Sequence, residues 1–559
     1  MRDSDSLPDT LPSLLRRSVQ GYGNAPAIAT MAGTITYRQI AERSARLAKV
    51  LLLLGVTKGT HVGVLAGNTV FWIQSLFACA RVGAVMVPMS TLAAPPELTH
   101  ILRHSDCHTL LAARHFLGRD YGETIAHALP ALSKLDASSD RRLLRFREAP
   151  FLRSIWLDDV DGLPWANSIT ELLSSSDADP ALDSEFLDEI ESEVSPSDDA
   201  VIIYTSGSTA LPKAAIHTHG PMARHVRVVA DAQLARSGER VLCLLPMFWV
   251  GGITMLLEVF VKGGCIVLPD GVSVRSVVDT LREVGADVVH GWLPQRRAIR
   301  DLMEAEGLDV SGIRNIQDER LPDGSLKQQN QIPNSLGMTE SFGPHGALPV
   351  GSVLPDHRRG AYAPSFGGFE RRVVDPVTGD VLPPSHAGEL QIRGGSLMRS
   401  YHKRERSTAF TPDGFFPTQD LVRIEPDGYM YFEGRTGDML KTKGANVSRL
   451  EVEEALRKVP GVAEAFVCGL PDSEAGQLVV AAATPVAGNQ LTESSIKAAL
   501  RGLLAPYKIP THIVLIGSED MLWTATGKIR VSEMTQFIGE KLEGLRAGHP
   551  RPPSNAGRR

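Results

Sequence analysis

The sequence predicts an α/β protein. A large N-terminal domain of helix-covered mixed or parallel sheets carries a β-rich subdomain, and a small α+β domain follows. Three observations carry this reading. Between Thr36 and Trp292, short apolar runs alternate with segments of helical period, the pattern of strands covered by helices. After Gly360 the period changes to two, with turn signals at "PVTGD" and "SHAGE", which reads as antiparallel strands. From Thr436 helices and strands mix on a smaller scale. The resulting division is residues 1–435, residues 436–545 and a tail, residues 546–559, whose "GHPRPPSNAGRR" character leaves nothing to bury and predicts disorder.

Taken in order, Thr36 is a candidate cap for a helix in which Ile40, Leu47, Val50 and Leu51 recur at helical spacing. "HVGVLAGN" (61–68) predicts a buried strand, 71–81 a helix and "GAVMVPM" (83–89) a further strand. From about Lys134 to Asp199 the pattern weakens. Its acidic, Ser- and Pro-rich later half reads as a solvated excursion. Strands return at "AVIIYT" (200–205), "VLCLLP" (241–246), "CIVLP" (265–269) and "DVVHGW" (287–292). In the last unit a helix at "SRLEVEEALRKV" precedes strands at "AEAFVCGL" and "LVVAAATPV", and another helix leads to "PYKIP".

The chain has 559 residues, enough for two to four domains with well-buried cores. A net charge of −6 gives no basic field, so nucleic acid is excluded as a main partner. Five scattered cysteines (Cys79, Cys107, Cys243, Cys265, Cys468) form no metal pattern and read as reduced thiols of a cytoplasmic protein. The opening "MRDSDSLPDT" lacks the apolar core of a signal peptide. No apolar run reaches membrane-spanning length. A homodimer is carried as the expectation for assembly.

The strongest local motif is "IIYTSGSTALPKAA" (202–215). An apolar strand ends in hydroxyls around Gly207, where glycine lets the backbone approach a ligand closely. The N–H groups and hydroxyls of Thr205, Ser206, Ser208 and Thr209 suit phosphate oxygens, and Lys213 adds positive charge. The spacing is not that of a Walker loop. Ser/Thr/Gly turns also close many ordinary strands.

This segment resembles the Thr/Ser/Gly-rich phosphate loop of the adenylate-forming superfamily, which includes acyl-CoA synthetases, peptide-synthetase adenylation domains and luciferases. Ala210 and Ala214 stand where that family usually has glycine. "NSLGMTES" (334–341) resembles the family's aromatic-G-x-T-E motif. The resemblance makes Glu340 the acid that binds Mg²⁺ with the ATP phosphates and Thr339 a phosphate contact, with Gly337 beside them. Leu336 replaces the aromatic that packs on adenine, and the family's Gly-Ala/Gly-Pro adenine loop is not visible upstream.

The stretch from Asp413 to Glu453 resembles the next two motifs. It makes Asp420 the acceptor of the ribose hydroxyls, Arg435 a ribose or phosphate contact, Gly437 the hinge, and Lys443 with Gly444 a coenzyme A contact. Gln419 replaces a usual glycine. "TATGKIR" (524–530) resembles the last motif and makes Lys528 the catalytic lysine, bridging substrate carboxylate and α-phosphate. Trp523 falls near the family's proline. "LLPMFWVGG" (244–252) resembles the acyl-pocket segment, with Trp249 where histidine is common. Gly251 and Gly252 are expected to leave room beside it, and Trp292 and Gly337 to line the same cavity.

The resemblance implies an AMP-forming acyl-CoA synthetase with a mobile C-terminal domain. It would use Mg²⁺, ATP and coenzyme A on an apolar carboxylic acid such as a fatty acid. An acyl-AMP ligase that loads a carrier protein, or a weakened nucleotide-binding homologue, are the alternatives.

Overall fold

A computed structural model describes residues 8–135, 143–176, 182–205, 212–232, 236–316, 335–349, 352–366, 368–435, 439–442, 445–472, 475–486, 488–489, 491–504, 506–523 and 529–547. The chain divides into two compact units, Met1–Glu370 with Ile392–Phe416, and Arg371–Gln391 with Pro417–Arg559.

The first unit is built on an eight-stranded sheet. Its order is Ser400–Tyr401, Lys213–Thr218, Asp199–Thr205, Val85–Pro88, His61–Leu65, Thr109–Ala112, Ser154–Leu157, Asn167–Ser168. Pairing is parallel from Asp199–Thr205 onwards and antiparallel at the Lys213–Thr218 edge. The central strands are buried along almost their whole length, which is why they read as unbroken apolar runs and not as alternation. A second, five-stranded sheet orders Val288–His290, Arg240–Cys243, Cys265–Val267, Pro26–Thr30 and Gly33–Thr36.

The expected cap at Thr36 is realised as a capping box on the helix Tyr37–Leu53. Thr36 Oγ1 accepts from the Gln39 amide at 3.2 Å, and Gln39 Oε1 accepts from the Thr36 amide at 2.9 Å. Ile40, Leu47, Val50 and Leu51 form its buried stripe.

The acidic excursion is corrected by the structure. Ser184–Ser192 is a helix whose Leu187 and Glu191 are buried. Glu191 receives Arg16 at 2.8 Å and also Arg81. A residue that reads as solvated is therefore a buried anchor, because two arginines distant in sequence neutralise it. The strand Ser154–Leu157, fully buried, also went unpredicted; four residues are too few to show a period.

In the second unit a four-stranded sheet orders Glu370–Val374, Ala387–Arg393, Phe416–Ile424 and Met430–Arg435. The predicted "PVTGD" turn closes with the Gly379 amide donating to the Asp375 carbonyl at 2.8 Å. A second sheet has a long antiparallel hairpin of Val462–Asp472 and Gly476–Pro485, with His512–Leu515 added in parallel. Helices Arg449–Arg457, Glu493–Leu500 and Val531–Ala547 accompany it. The boundary at 435/436 read from sequence falls inside this unit. The strands before it, Phe416–Ile424 and Met430–Arg435, belong to one sheet with Ala387–Arg393.

Candidate nucleotide-activation site

Asp199–Thr205 and Lys213–Thr218 are antiparallel neighbours, with Thr205 opposite Lys213 and Tyr204 opposite Ala214. They form the two stems of the hydroxyl-rich loop. Ser206, Gly207, Ser208, Thr209 and Ala210 lie outside the described residues. Ala214 is buried in regular strand pairing and has no left-handed backbone, so glycine's freedom is not required there.

The Thr339–Ser341 turn sits between two short strands, Gly337–Met338 and Gly343–Pro344. A Cβ on Gly337 would lie 2.6 Å from the Gly343 carbonyl, so only glycine fits. Phe342 leaves the turn at φ +55° with its ring fully buried. An aromatic residue in that region is held by its packing, and such backbone clusters at functional sites. The ring packs on His217, centroids 5.1 Å apart. His217 Nε2 donates to the Thr339 carbonyl at 2.8 Å. Burial pushes the imidazole pKa down to about 3, so a neutral ring with its proton on Nε2 clamps the turn.

The turn presents Thr339 and Glu340 half-exposed. The Glu340 carbonyl accepts from the Met398 amide at 2.7 Å, and Tyr401 Oη donates to Glu340 Oε1 at 2.6 Å. Tyr401 pairs with Ala215 on the edge of the main sheet. Burial first, and then the Glu340 charge, raises its phenol far above the ordinary range, so it remains a donor. Lys213 Nζ stands 5.4 Å from the centroid of the Tyr401 ring. Lys213, Tyr401 and Glu340 are thus gathered at the end of the loop stems. Sequence reasoning missed Tyr401, an isolated aromatic with no periodic signal. It also missed His217, whose only flag is a histidine inside an apolar strand.

A lone half-exposed carboxylate suits Mg²⁺ that arrives on phosphate oxygens. Tyr401 uses one of the acceptor positions of Glu340 and leaves others for a metal. Among the described residues no group of three or more His, Cys, Asp or Glu side chains is placed to hold a metal by itself.

Trp249 precedes the helix Val250–Val261 and meets the Trp292 ring edge-on, centroids 5.8 Å apart. Trp292 is 46% exposed and Trp249 half-buried. A Cβ on Gly252 would come within 2.2 Å of the Pro246 carbonyl oxygen, and one on Gly251 within 3.2 Å of Leu245 Cδ1. The space that Gly252 leaves is filled by backbone, so close packing explains that glycine. Thr254 on the same helix reaches the Phe342 carbonyl at 3.4 Å, which ties the tryptophan helix to the Glu340 turn. Leu336 is half-buried, and its carbonyl accepts from the His345 amide at 3.0 Å.

In the second unit Asp420 is only 3% exposed and lies opposite Arg435 in the ladder. Its amide donates to Thr418 Oγ1 at 3.1 Å. Gln419, which replaces a usual glycine, has φ +65°. The Arg435 side chain, Gly437, Lys443, Gly444 and Lys528 lie outside the described residues.

A largely parallel sheet covered by helices, with Lys213, Tyr401 and Glu340 brought together at its antiparallel edge, defines an α/β protein with a polar site on the main sheet. The chain belongs to the AMP-binding enzyme family, which matches residues 15–402, with the AMP-binding enzyme C-terminal domain matching residues 451–528. It is 28% identical over 524 residues to the feruloyl-CoA synthase of Amycolatopsis sp, covering 92% of this chain and 96% of that one. The long-chain-fatty-acid–CoA ligase FadD13 of Mycobacterium tuberculosis is 29% identical over 511 residues, with 89% and 91% covered. The fold matches the ATP-bound MatB structure from Rhodopseudomonas palustris with a TM-score of 0.75 at 22% identity, covering 96% and 99%. Among the described residues no helix is long and apolar enough to cross a membrane.

Proposed function

We propose that the chain is an AMP-forming acyl-CoA ligase that activates an apolar carboxylic acid, a fatty acid first among candidates, with ATP and passes the acyl group to coenzyme A. The observation that carries this reading is the gathering of Lys213, Tyr401 and Glu340 at the stems of the phosphate loop. Full-length likeness to CoA ligases supports the acceptor. The partly exposed Trp292 in edge-to-face contact with Trp249 supports an apolar acid.

In the first half-reaction the substrate carboxylate attacks the α-phosphorus and pyrophosphate leaves. The loop hydroxyls, Ser206, Ser208 and Thr209 with Thr205, hold phosphate oxygens, and Lys213 and Lys528 offset charge that grows in the transition state. Mg²⁺, when bound, neutralises phosphate charge beside Glu340 and Thr339. Asp420 accepts the ribose hydroxyls, with Arg435 beside it. In the second half-reaction the C-terminal domain turns at Gly437. The Lys443–Gly444 loop then guides coenzyme A, whose thiol attacks the adenylate carbonyl and releases AMP.

Pyrophosphate release with MgATP and a panel of carboxylic acids tests the reading, comparing the natural chain with Lys528→Ala. Release by the natural chain with at least one acid, lost on substitution by about 100-fold, is expected. Equal release from both would refute it. Mass spectrometry of the product with coenzyme A present is expected to find the thioester; adenylate alone would favour a carrier-loading ligase.

A further inference from the structure

We propose that Tyr401 is a positioning residue that sets both charges facing the nucleotide phosphates: its hydroxyl orients the Glu340 carboxylate and its ring seats the Lys213 ammonium. The inference rests on the reading of Glu340 as the Mg²⁺-side acid.

The geometry is specific. Glu340 stands half-exposed on a three-residue turn, and a glutamate side chain in that setting has several rotamers. A 2.6 Å bond from a buried phenol to Oε1 selects among them. The phenol itself is fixed, since Tyr401 is 7% exposed and its backbone is paired with Ala215. The same ring lies under Lys213 Nζ at 5.4 Å, close enough for its face to attract the ammonium. Lys213 and Glu340 are 127 positions apart in the chain, and one tyrosine reaches both. Glu340 is further held through its backbone, where its carbonyl accepts from Met398, three residues before Tyr401.

Two substitutions separate the two roles. Tyr401→Phe removes the hydroxyl and keeps the ring; Tyr401→Leu removes both. The probe is α,β-methylene-ATP, which cannot be cleaved at the reacting bond, titrated calorimetrically into the full chain with Mg²⁺ or with EDTA. Tyr401→Phe is expected to reduce the Mg²⁺-dependent gain in affinity by about ten-fold and to leave affinity in EDTA within about two-fold. Glu340→Gln should remove that gain, and Tyr401→Phe added to it should change little more. Tyr401→Leu should also weaken binding in EDTA, as Lys213→Ala is expected to do.

A Tyr401→Phe chain that binds like the natural one, or is weakened equally with and without Mg²⁺, overturns the proposal. If Glu340→Gln keeps the full gain, the Glu340 assignment fails and the Tyr401 role falls with it. If only Tyr401→Phe keeps it, the Tyr401 role alone fails. Glu340→Asp, which draws the carboxylate back by one methylene from an unaltered Tyr401, gives a second route should Tyr401→Phe not fold. It is expected to lose the gain like Tyr401→Phe, and retention of the full gain would refute the proposal.

Discussion

Two acids marked by the same family resemblance sit in different surroundings. Glu340, in the first unit, is half-exposed on a short turn between two two-residue strands. Asp420, in the second, is buried within a nine-residue strand opposite Arg435. Each has a left-handed residue that is not glycine close by, Phe342 at φ +55° and Gln419 at φ +65°. Phe342 is fully buried, whereas Gln419 is exposed. The same backbone conformation is therefore fixed by ring packing at one acid and by the strand around it at the other. An open ligand position needs its support from side chains, while a buried one inherits it from the ladder.

The sharpest way to break this comparison is to place glycine at Phe342. Relief of the backbone is small, and the lost ring dominates, so a loss of about 3–5 kcal/mol is expected in urea unfolding. A neutral result would mean that the ring does not hold the turn. Next is the chemistry: Glu340→Gln is expected to slow pyrophosphate release by about 100-fold, while Asp420→Asn costs about ten-fold and shows mainly in KM for ATP. Reversed magnitudes would mean that exposure does not mark the acid nearest the reacting phosphate.

Acid separates the two units as well. Burial holds His217 at about 3, and His219, His225 and His290 at about 4, all in the first unit. Their folded values lie below the unfolded value near 6.5, so the unfolded chain binds more protons. Their contribution is complete above that unfolded value and declines as pH falls towards the folded ones. Near Asp420, Glu389 has the opposite sign: burial raises its carboxyl, so its contribution is present at low pH and is lost as pH rises through the folded value. Lowering pH from 7.5 to 5.5 is expected to weaken the first unit by about 1 kcal/mol or more for each such histidine. Hydrogen exchange, corrected for intrinsic rates, reads this by unit, and equal loosening of both would contradict it.

The smallest effect is at Gln419. Glycine there keeps the φ without the cost that a Cβ brings to left-handed backbone, so Gln419→Gly should stabilise by about 1 kcal/mol. Destabilisation would mean that the glutamine side chain holds the strand.

How far the sequence reached can be judged residue by residue. The cap at Thr36, the buried strands other than Ser154–Leu157 and the turn at Gly379 were legible because each depends on neighbours within a few positions. The glycine expected at position 419 was legible too, and the left-handed backbone there supplies the reason. Glu191 was not legible, since the arginines that bury it lie 110 and 175 positions away. Nor was Gly252 as a packing residue, because its neighbour is a carbonyl and not a side chain.

By itself the sequence determined the fold class, most of the strands and helices, and the family, because spacing and residue type are local and additive. Tertiary structure alone decided that Tyr401 meets Glu340 and Lys213, that His217 clamps Thr339, and that Glu191 is an anchor. These are encounters between segments far apart in the chain, and no local pattern encodes them, since each exists only where the packing of strands, helices and turns brings those segments together.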